Sequence, residues 1–555
     1  MFDTAWKIGF YHYDHPAHSS ARGSRVKFDE MQADMTKDVR KISMISHRSF
    51  IPLERAQALH SEASAVDKES TNSEFPAQFF KMNQIHRLIP PTLLTVLLTG
   101  CMMVGRHYTE PNAITPDTWH QRVNSDLRSG SSSLESWWRR FNDPTLTRLI
   151  RTARESNRDL AIAAERINEA RAVRGLAGSQ LFPTLDTTGA FSRGRASENI
   201  GSPGGGTTND FYTTGLDAGW ELDFFGGVRR AVESSNASAA ATEEFYRDAM
   251  VSLLAEVAFA YIQIRTLDER IQLAENNIRN QQESVQLTQD RLDAGLATEL
   301  DVSQATTNLA TTQAVVPALR NQRSIALNRL AVLIGRYPAA ADGHLGSSKG
   351  IPSPARSAGI GIPADLVRAR PDIRAAERQL AAQTARIGIA EADLYPRFSL
   401  SGTFQLQALN ASNLPESNSR NYAFGPSFRW NIFSAGRIKS QIAIEESRTQ
   451  QAYLNYENTV LKGIAEVEDA LSSVSNERDR ATALDAAVTA SRKTVELVKS
   501  NYREGLIDFQ NVLDAERTIF ANEDAQAVSR GQIAAAYVSL FKALGGGTPM
   551  HPTNP

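Results

Sequence analysis

Few residues in this chain have a type and spacing that could do chemistry, and the most telling is a lone cysteine. Cys101 is the single cysteine in 555 residues, which excludes an intrachain disulfide and a cysteine-based metal site. Its setting gives the thiol another use. From Met82 the chain runs Met-Asn-Gln-Ile-His-Arg87, then an apolar stretch from Leu88 to Leu98, then Thr99-Gly100-Cys101. A basic start, an apolar run too short to span as a mature helix, and small residues before a cut site make a signal peptide over 82–100. Leu98-Thr99-Gly100-Cys101 matches a bacterial lipobox, in which the cysteine is lipidated (palmitate) and becomes the mature N-terminus. A free buried cysteine ending a core helix would leave the charge, the length and the cut site unexplained. Met102 follows in place of an aspartate, which favours the outer over the inner membrane.

The other candidates for chemistry fail on spacing. His12, His15 and His18 lie near Asp14, but no Cys or Glu completes a metal site and no patterned fold surrounds them. Gly204-Gly205-Gly206 lacks the Lys-Ser/Thr sequel of a phosphate-binding loop. No Ser/His/Asp set, metal spacing or carboxylate pair stands out, and the acidic residues lie mostly on repeated helices, so no enzyme, metal or cofactor is expected. A net charge of −2 leaves no footprint for nucleic acid. Residues 1–81 are polar and aperiodic and precede a signal peptide, so they are expected to be a mis-annotated or non-native extension, with translation starting at Met82.

The elements that must position anything functional are long and duplicated. Asn501-Tyr-Arg-Glu-Gly505-Leu-Ile-Asp-Phe-Gln-Asn-Val-Leu-Asp-Ala515 sits between two heptad-patterned segments, and Gly505 suits a tight reversal. Arg291 to Ala305 repeats it around Gly295. The offset of 210 is kept by Leu296/Leu506, Val302/Val512, Ala305/Ala515, Gly335/Gly545 and Trp220/Trp430. Met250, Val257, Ile264, Ile271, Ile278, Val285 and Leu292 recur by sevens, as do Val460, Val467, Val474, Ala481, Val488, Val495 and Tyr502. That period winds helices left-handedly around one another. A helix from Val228 to Leu292 reaches roughly 100 Å, longer than a soluble domain needs.

Elsewhere the period drops to two. Strands are expected at about 184–193, 211–223, 397–407 and 421–433, each with an apolar and a small polar face and about as long as a tilted membrane-crossing strand. Four strands cannot close around a lumen, and lipid forbids open edges. Copies must therefore pool them, and a trimer with twelve strands is the smallest barrel with a channel. Before the first strand, Asp143-Pro144 reads as a helix start.

Together these pieces resemble the outer membrane factor (TolC-like) family, in its lipoprotein efflux branch of the OprM/NodT type. The resemblance covers Cys101 to about Gly547. It rests on the lipobox, Val104-Gly105…Tyr108…Pro111, Trp137-Trp138…Phe141…Asp143-Pro144, Arg370-Pro371-Asp372-Ile373-Arg374-Ala375-Ala376-Glu377 and Tyr502…Gly505-Leu506…Val512-Leu513-Asp514-Ala515. The family often has Pro-Asp where Arg106-His107 stands. The resemblance implies an α+β membrane protein with two internal repeats. A homotrimer would form a transmembrane β-barrel with four strands per chain, continuing into an all-α coiled-coil barrel in the periplasm. Its hairpin tips would dock on a periplasmic adaptor (membrane fusion protein) joined to an inner-membrane pump. The tips would be Arg291, Leu292, Gly295, Leu296, Tyr502, Gly505 and Leu506. They would also form the gate, with Asp301 and Tyr502 where an interhelical bond occurs in the family and Asp514 where an acidic ring occurs. Ile507 and Asn511 depart from the gate arginine and a second ring aspartate. Helix-start charge is the alternative reading of Asp301 and Asp514.

The expected organisation is an extension over 1–81, the signal peptide over 82–100, a first repeat over 101–335, an equatorial linker over 336–362, a second repeat over 363–547 and a tail over 548–555. The helical hairpins are expected at about 228–335 and 436–545. The expected function is a passive outer-membrane exit duct for drugs or other small toxic compounds. A duct for type I protein secretion and a lipid-anchored coiled-coil stalk are the alternatives. The lipobox and the Trp-Trp…Asp-Pro word favour efflux over secretion, and the strands argue against a stalk.

Overall fold

The computed structural model describes residues 103–112, 115–121, 134–200, 205–340, 342–346, 350–353 and 370–547. The extension, the signal peptide, Cys101, the histidines near Asp14, residues 341, 347–349 and 354–362 of the expected linker and the C-terminal tail lie outside the described residues.

A 3-10 segment at Leu134–Phe141 leads into α1 (Pro144–Ser156) and α2 (Arg158–Ser179), then β1 (Thr184–Arg195) and β2 (Thr208–Leu222). The first hairpin is α3 (Gly227–Asp293) with α4 (Glu299–Leu333). After a single helical turn at Asp342–Leu345 come α5 (Pro371–Ala392), β3 (Arg397–Ala408), β4 (Arg420–Arg429), α6 (Arg437–Arg503) and α7 (Phe509–Ala543).

The strands form one antiparallel sheet in chain order. Its register sets Thr187 beside Leu216, Leu216 beside Phe404 and Phe404 beside Tyr422, so one face is an apolar band. These side chains are exposed in the single chain. The opposite face is polar and bonded. Thr188 and Gln405 donate to the two carboxylate oxygens of Asp217 at 2.8 and 3.3 Å, and Ser399 meets Ser427 at 2.8 Å. Gly215 is required there, since a Cβ would lie 2.4 Å from the Phe404 carbonyl oxygen. Among the described residues β1 and β4 are both edges with no second neighbouring strand. The last strand is shorter than expected: it stops at Arg429, and Trp430 to Phe433 lie outside it. Its partner β3 begins at Arg397, directly opposite Arg429, so the ladder has nothing further to pair with. Trp430 instead donates its indole N–H to the Leu394 carbonyl at 3.0 Å. Trp220 does the same to Leu181 at 3.0 Å, repeating the lock in the first copy.

Below the sheet the helices pack around an apolar core. Trp137 stacks on Phe541 at 5.4 Å, beside Leu146, Leu149, Leu254, Ile264 and Tyr537. Asp143 caps α1 by accepting from the Thr145 and Leu146 amides at 2.7 and 3.0 Å, and its other oxygen accepts from the Tyr261 hydroxyl at 2.7 Å. The Trp-Trp…Asp-Pro word is thus a packing and capping device. Arg370 is also an anchor, holding Asp372 through two bonds, Glu466 at 2.6 Å and the Ala543 carbonyl at 3.0 Å. Buried Arg230 holds the leader by donating to the Val104 and Gly105 carbonyls at 2.9 and 2.7 Å. Gly105 lies against Gly388, where a Cβ would come within 2.5 Å of the backbone. Burial pushes the Glu244 carboxyl above its ordinary range, with Arg374 and Arg247 opposing it.

The heptad stripe on α3 behaves differently along its length. Met250, Val257 and Ile264 are buried, whereas Ile271, Ile278, Val285 and Leu292 are only half-buried. Over that lower stretch the fully buried line is Ala274, Asn277, Gln281, Ser284 and Thr288. It keeps the 3-and-4 spacing of a helix seam, but all of its members after Ala274 are polar.

Candidate functional site

The two hairpin turns lie at the ends of α3 and α6 and are built alike. Each helix ends on a glycine in the left-handed region, Gly295 at φ 71° and Gly505 at φ 77°. In each the amides that follow bond back across the last turn: Leu296 to the Arg291 carbonyl at 2.7 Å and Leu506 to the Asn501 carbonyl at 2.9 Å. This is the glycine stop that satisfies orphan carbonyls at a helix end. Leu296 and Leu506 then project outward, 65% and 67% exposed. Two exposed leucines at the ends of long polar helices make an apolar knob on each tip.

The turns differ in how the next helix starts. At α4, Thr298 and Asp301 form a capping box: the Asp301 amide donates to the Thr298 hydroxyl at 3.3 Å, and the Asp301 carboxylate accepts from the Thr298 amide at 2.9 Å and its hydroxyl at 2.8 Å. At α7, Asp508 makes no side-chain cap, and Phe509 turns inward instead. Phe509 packs against Tyr502 with ring centres 5.4 Å apart, in a small apolar cluster with Ala305, Val512 and Leu513.

The expected bond between Asp301 and Tyr502 is not formed. The Asp301 carboxylate is engaged by its own helix start, and the Tyr502 hydroxyl is buried with no hydrogen-bond partner. A local cap closes over three residues and prevails over a contact between separate hairpins. Tyr502 is only 4% exposed, so its side chain is a floor beneath the tip rather than part of its outer surface. What reaches across is Arg291. Its guanidinium lies 4.8 Å from the centre of the Tyr502 ring and donates to the Tyr502 and Arg503 carbonyls at 2.9 and 3.0 Å. Of the expected tip residues, Arg291, Tyr502 and Gly505 are therefore brought together, while Leu292 is half-buried on α3. Asp514 lies on the exposed face of α7, accepts from Gln510 at 3.0 Å and lines a shallow hollow with Ser491, Thr494 and Asn511.

Above the tip a second set of charges joins the hairpins. Buried Glu516 accepts from Ser284 of α3 at 2.5 Å and pairs with Lys499 at 2.9 Å. Arg517 donates to Asn308 of α4 at 3.1 Å, and Arg270 holds Asp524 through two bonds at 2.7 and 3.0 Å. None of these was singled out from sequence. The available signal was the polar 277–281–284–288 spacing, hidden beside the more conspicuous apolar sevens.

An open sheet with one greasy and one wet face, set on two long hairpins, is matched over residues 149–336 and 362–546 by the family model described as outer membrane efflux protein. The chain belongs to that family. Its curated relatives in the family include Nodulation protein T of Rhizobium leguminosarum bv. viciae, 30% identical over 82% of this chain and 92% of the relative. The solvent efflux pump outer membrane protein SrpC of Pseudomonas putida is 30% identical over 82% of this chain and 97% of its own length. Among solved structures, the outer-membrane channel OprN is similar at 37% identity with a TM-score of 0.74, covering 80% of this chain and 99% of that one. The open state of the MtrE outer membrane channel of Neisseria gonorrhoeae is similar at 27% identity and a TM-score of 0.70, covering 80% of this chain and 98% of that one. This family member is accordingly an outer-membrane efflux channel with the trimeric fold, in which each chain gives four strands to a shared barrel and its hairpins to a helical barrel reaching into the periplasm. Pooling resolves both oddities of the single chain: the edges pair between copies, and the apolar band meets lipid.

Proposed function

We propose that the chain is the passive exit duct of a tripartite efflux system for small toxic compounds, closed at its periplasmic tip and anchored to the outer membrane by lipid on Cys101. The observation that carries this is the pairing of an open-edged amphipathic sheet with hairpin helices of 67 and 35 residues, a span of roughly 100 Å that leads from membrane to periplasm. Relatives named for solvent, toluene and cation efflux support a small-compound cargo. The mature protein would begin at Cys101 after removal of 82–100, with 1–81 outside the functional product. An adaptor would seat on the tips beside Gly295 and Gly505, taking Leu296 and Leu506 as its apolar contacts and joining the duct to an inner-membrane pump. Three Asp514 carboxylates around the closed axis would repel one another and favour cations. Asp301 would set the start of α4 behind that gate, and Tyr502 would support it from beneath.

The test is single-channel recording in planar bilayers of protein expressed from Met82, with Asp514→Ala alongside. Small, infrequent openings in the wild type, made larger or more frequent and less cation-selective by Asp514→Ala, are expected. A folded, lipidated trimer that conducts nothing would sink the duct reading.

A further inference from the structure

The structure assigns to Arg291 the task of latching the two hairpins of one chain together at the tip, by clamping the carboxyl end of α6 against the Tyr502 ring. This rests on the tip being the gate.

Several independent contacts converge on this side chain. Arg291 lies in the last turn of α3, where a cation is already favoured by the negative end of the helix dipole. Its Nη1 spans the gap to the second hairpin and donates to two successive carbonyls, those of Tyr502 and Arg503, in the last turn of α6. One guanidinium thus sits at the negative ends of two helices at once. The planar fork suits that role, because Nη1 carries two hydrogens and serves two acceptors without leaving the ring face. The cation lies 4.8 Å over Tyr502, whose own position is fixed by Phe509 beneath it. Arg291 Nη2 also lies 3.7 Å from where a Cβ on Gly505 would stand, so the latch rests against the turn itself.

Besides the apolar packing of Ala305 with Tyr502 and Phe509, which carries no direction, the latch is the polar tie at that level. Among the described residues, no other side-chain hydrogen bond or ion pair joins the hairpins within the last two turns of α3. Asp301 is turned into its own cap, and the Tyr502 hydroxyl bonds to nothing. The nearest alternative, Ser284 to Glu516, lies two turns higher. Parting the tips therefore breaks the ring contact and both carbonyl bonds together, which makes Arg291 an all-or-none catch. The ring of Tyr502 matters here and its hydroxyl does not, which separates this account from a tyrosine hydrogen-bond lock.

The experiment is open probability in planar bilayers for the full-length trimer and for Arg291→Met, Arg291→Lys, Tyr502→Leu, Tyr502→Phe and the Arg291→Met/Tyr502→Leu double variant, with Asp514→Ala as a gate control. Arg291→Met is expected to raise the open-to-closed ratio roughly tenfold, the loss of one cation–π contact with two charge-assisted bonds. Arg291→Lys keeps the charge but not the fork and should fall between. Tyr502→Leu should open the channel, Tyr502→Phe should match the wild type, and the double variant should exceed Arg291→Met by little, since both break one interaction. An unchanged Arg291→Met beside an altered Asp514→Ala overturns the latch and leaves the gate standing. If none of the variants changes the channel, the gate falls and the latch with it. Equal effects of Tyr502→Phe and Tyr502→Leu also overturn the latch. Should Arg291→Met fail to trimerise, the Arg291→Lys and Tyr502 variants decide by the same criteria.

Discussion

The two hairpins have identical dimensions and unlike tips. α3 and α6 are each 67 residues long, and α4 and α7 are each 35. Both long helices stop on a left-handed glycine followed by an exposed leucine. Past that point the copies diverge. The first returns through a polar capping box and sends Arg291 outward to its neighbour. The second returns through a buried aromatic pair and receives it. Duplication supplied two equal arms, and a few side chains made one of them the catch and the other its seat. The return helices differ too, with Pro317 inside α4 where α7 has tightly buried Ala527.

The largest way to break this comparison is to move the proline. Ala527→Pro removes a helical hydrogen bond and clashes with the preceding turn in a packed position, so it should cost about 3 kcal/mol or more. Denaturant unfolding of the detergent-solubilised protein would read it. Next, Phe509→Ala should cost roughly 3 kcal/mol by emptying the seat under Tyr502, whereas the equivalent change in the first copy, Glu299→Ala, should stay within about 0.5 kcal/mol. Asp301→Ala should lose the capping box, about 1 kcal/mol, and speed amide exchange in the first turn of α4. The smallest effect is expected of Tyr502→Phe. Its hydroxyl is buried without a partner, so the change should alter stability by less than about 0.5 kcal/mol, or raise it slightly, in the same unfolding measurement.

Architecture was legible in the sequence because it rests on repetition. The 210-residue offset, the sevens and the twos are periodic signals, and each reports one physical demand: reach, mutual winding, or a surface between lipid and water. The closure argument needed only four strands and the cost of an open edge in a membrane. The tip was less legible because it is settled by competition between nearby partners. Thr298, three residues from Asp301, captures a carboxylate that family resemblance assigns to Tyr502. Arg291 was named as an outward contact, but the shape of the two turns brings it over the Tyr502 ring. The apolar sevens of α3 concealed the polar seam one step around the helix, since the half-buried isoleucines satisfy the pattern as well as buried ones would. Strand β4 was read too long for a similar reason. Alternation continues to Ile432, but the ladder ends where β3 begins.

The most direct test of the shared, closed tip is a cysteine on the ring. Cys101 is the only native cysteine, and lipidation would remove its thiol, so Asp514→Cys introduces a single reactive group per mature chain. Mild oxidation of membranes carrying this variant should give covalent dimers on a gel and abolish conductance, both reversed by reductant, since the proposed gate sets three copies of position 514 around one narrow axis. Monomers only, from a protein that still assembles and conducts, would contradict the account by showing that position 514 does not line a closed end.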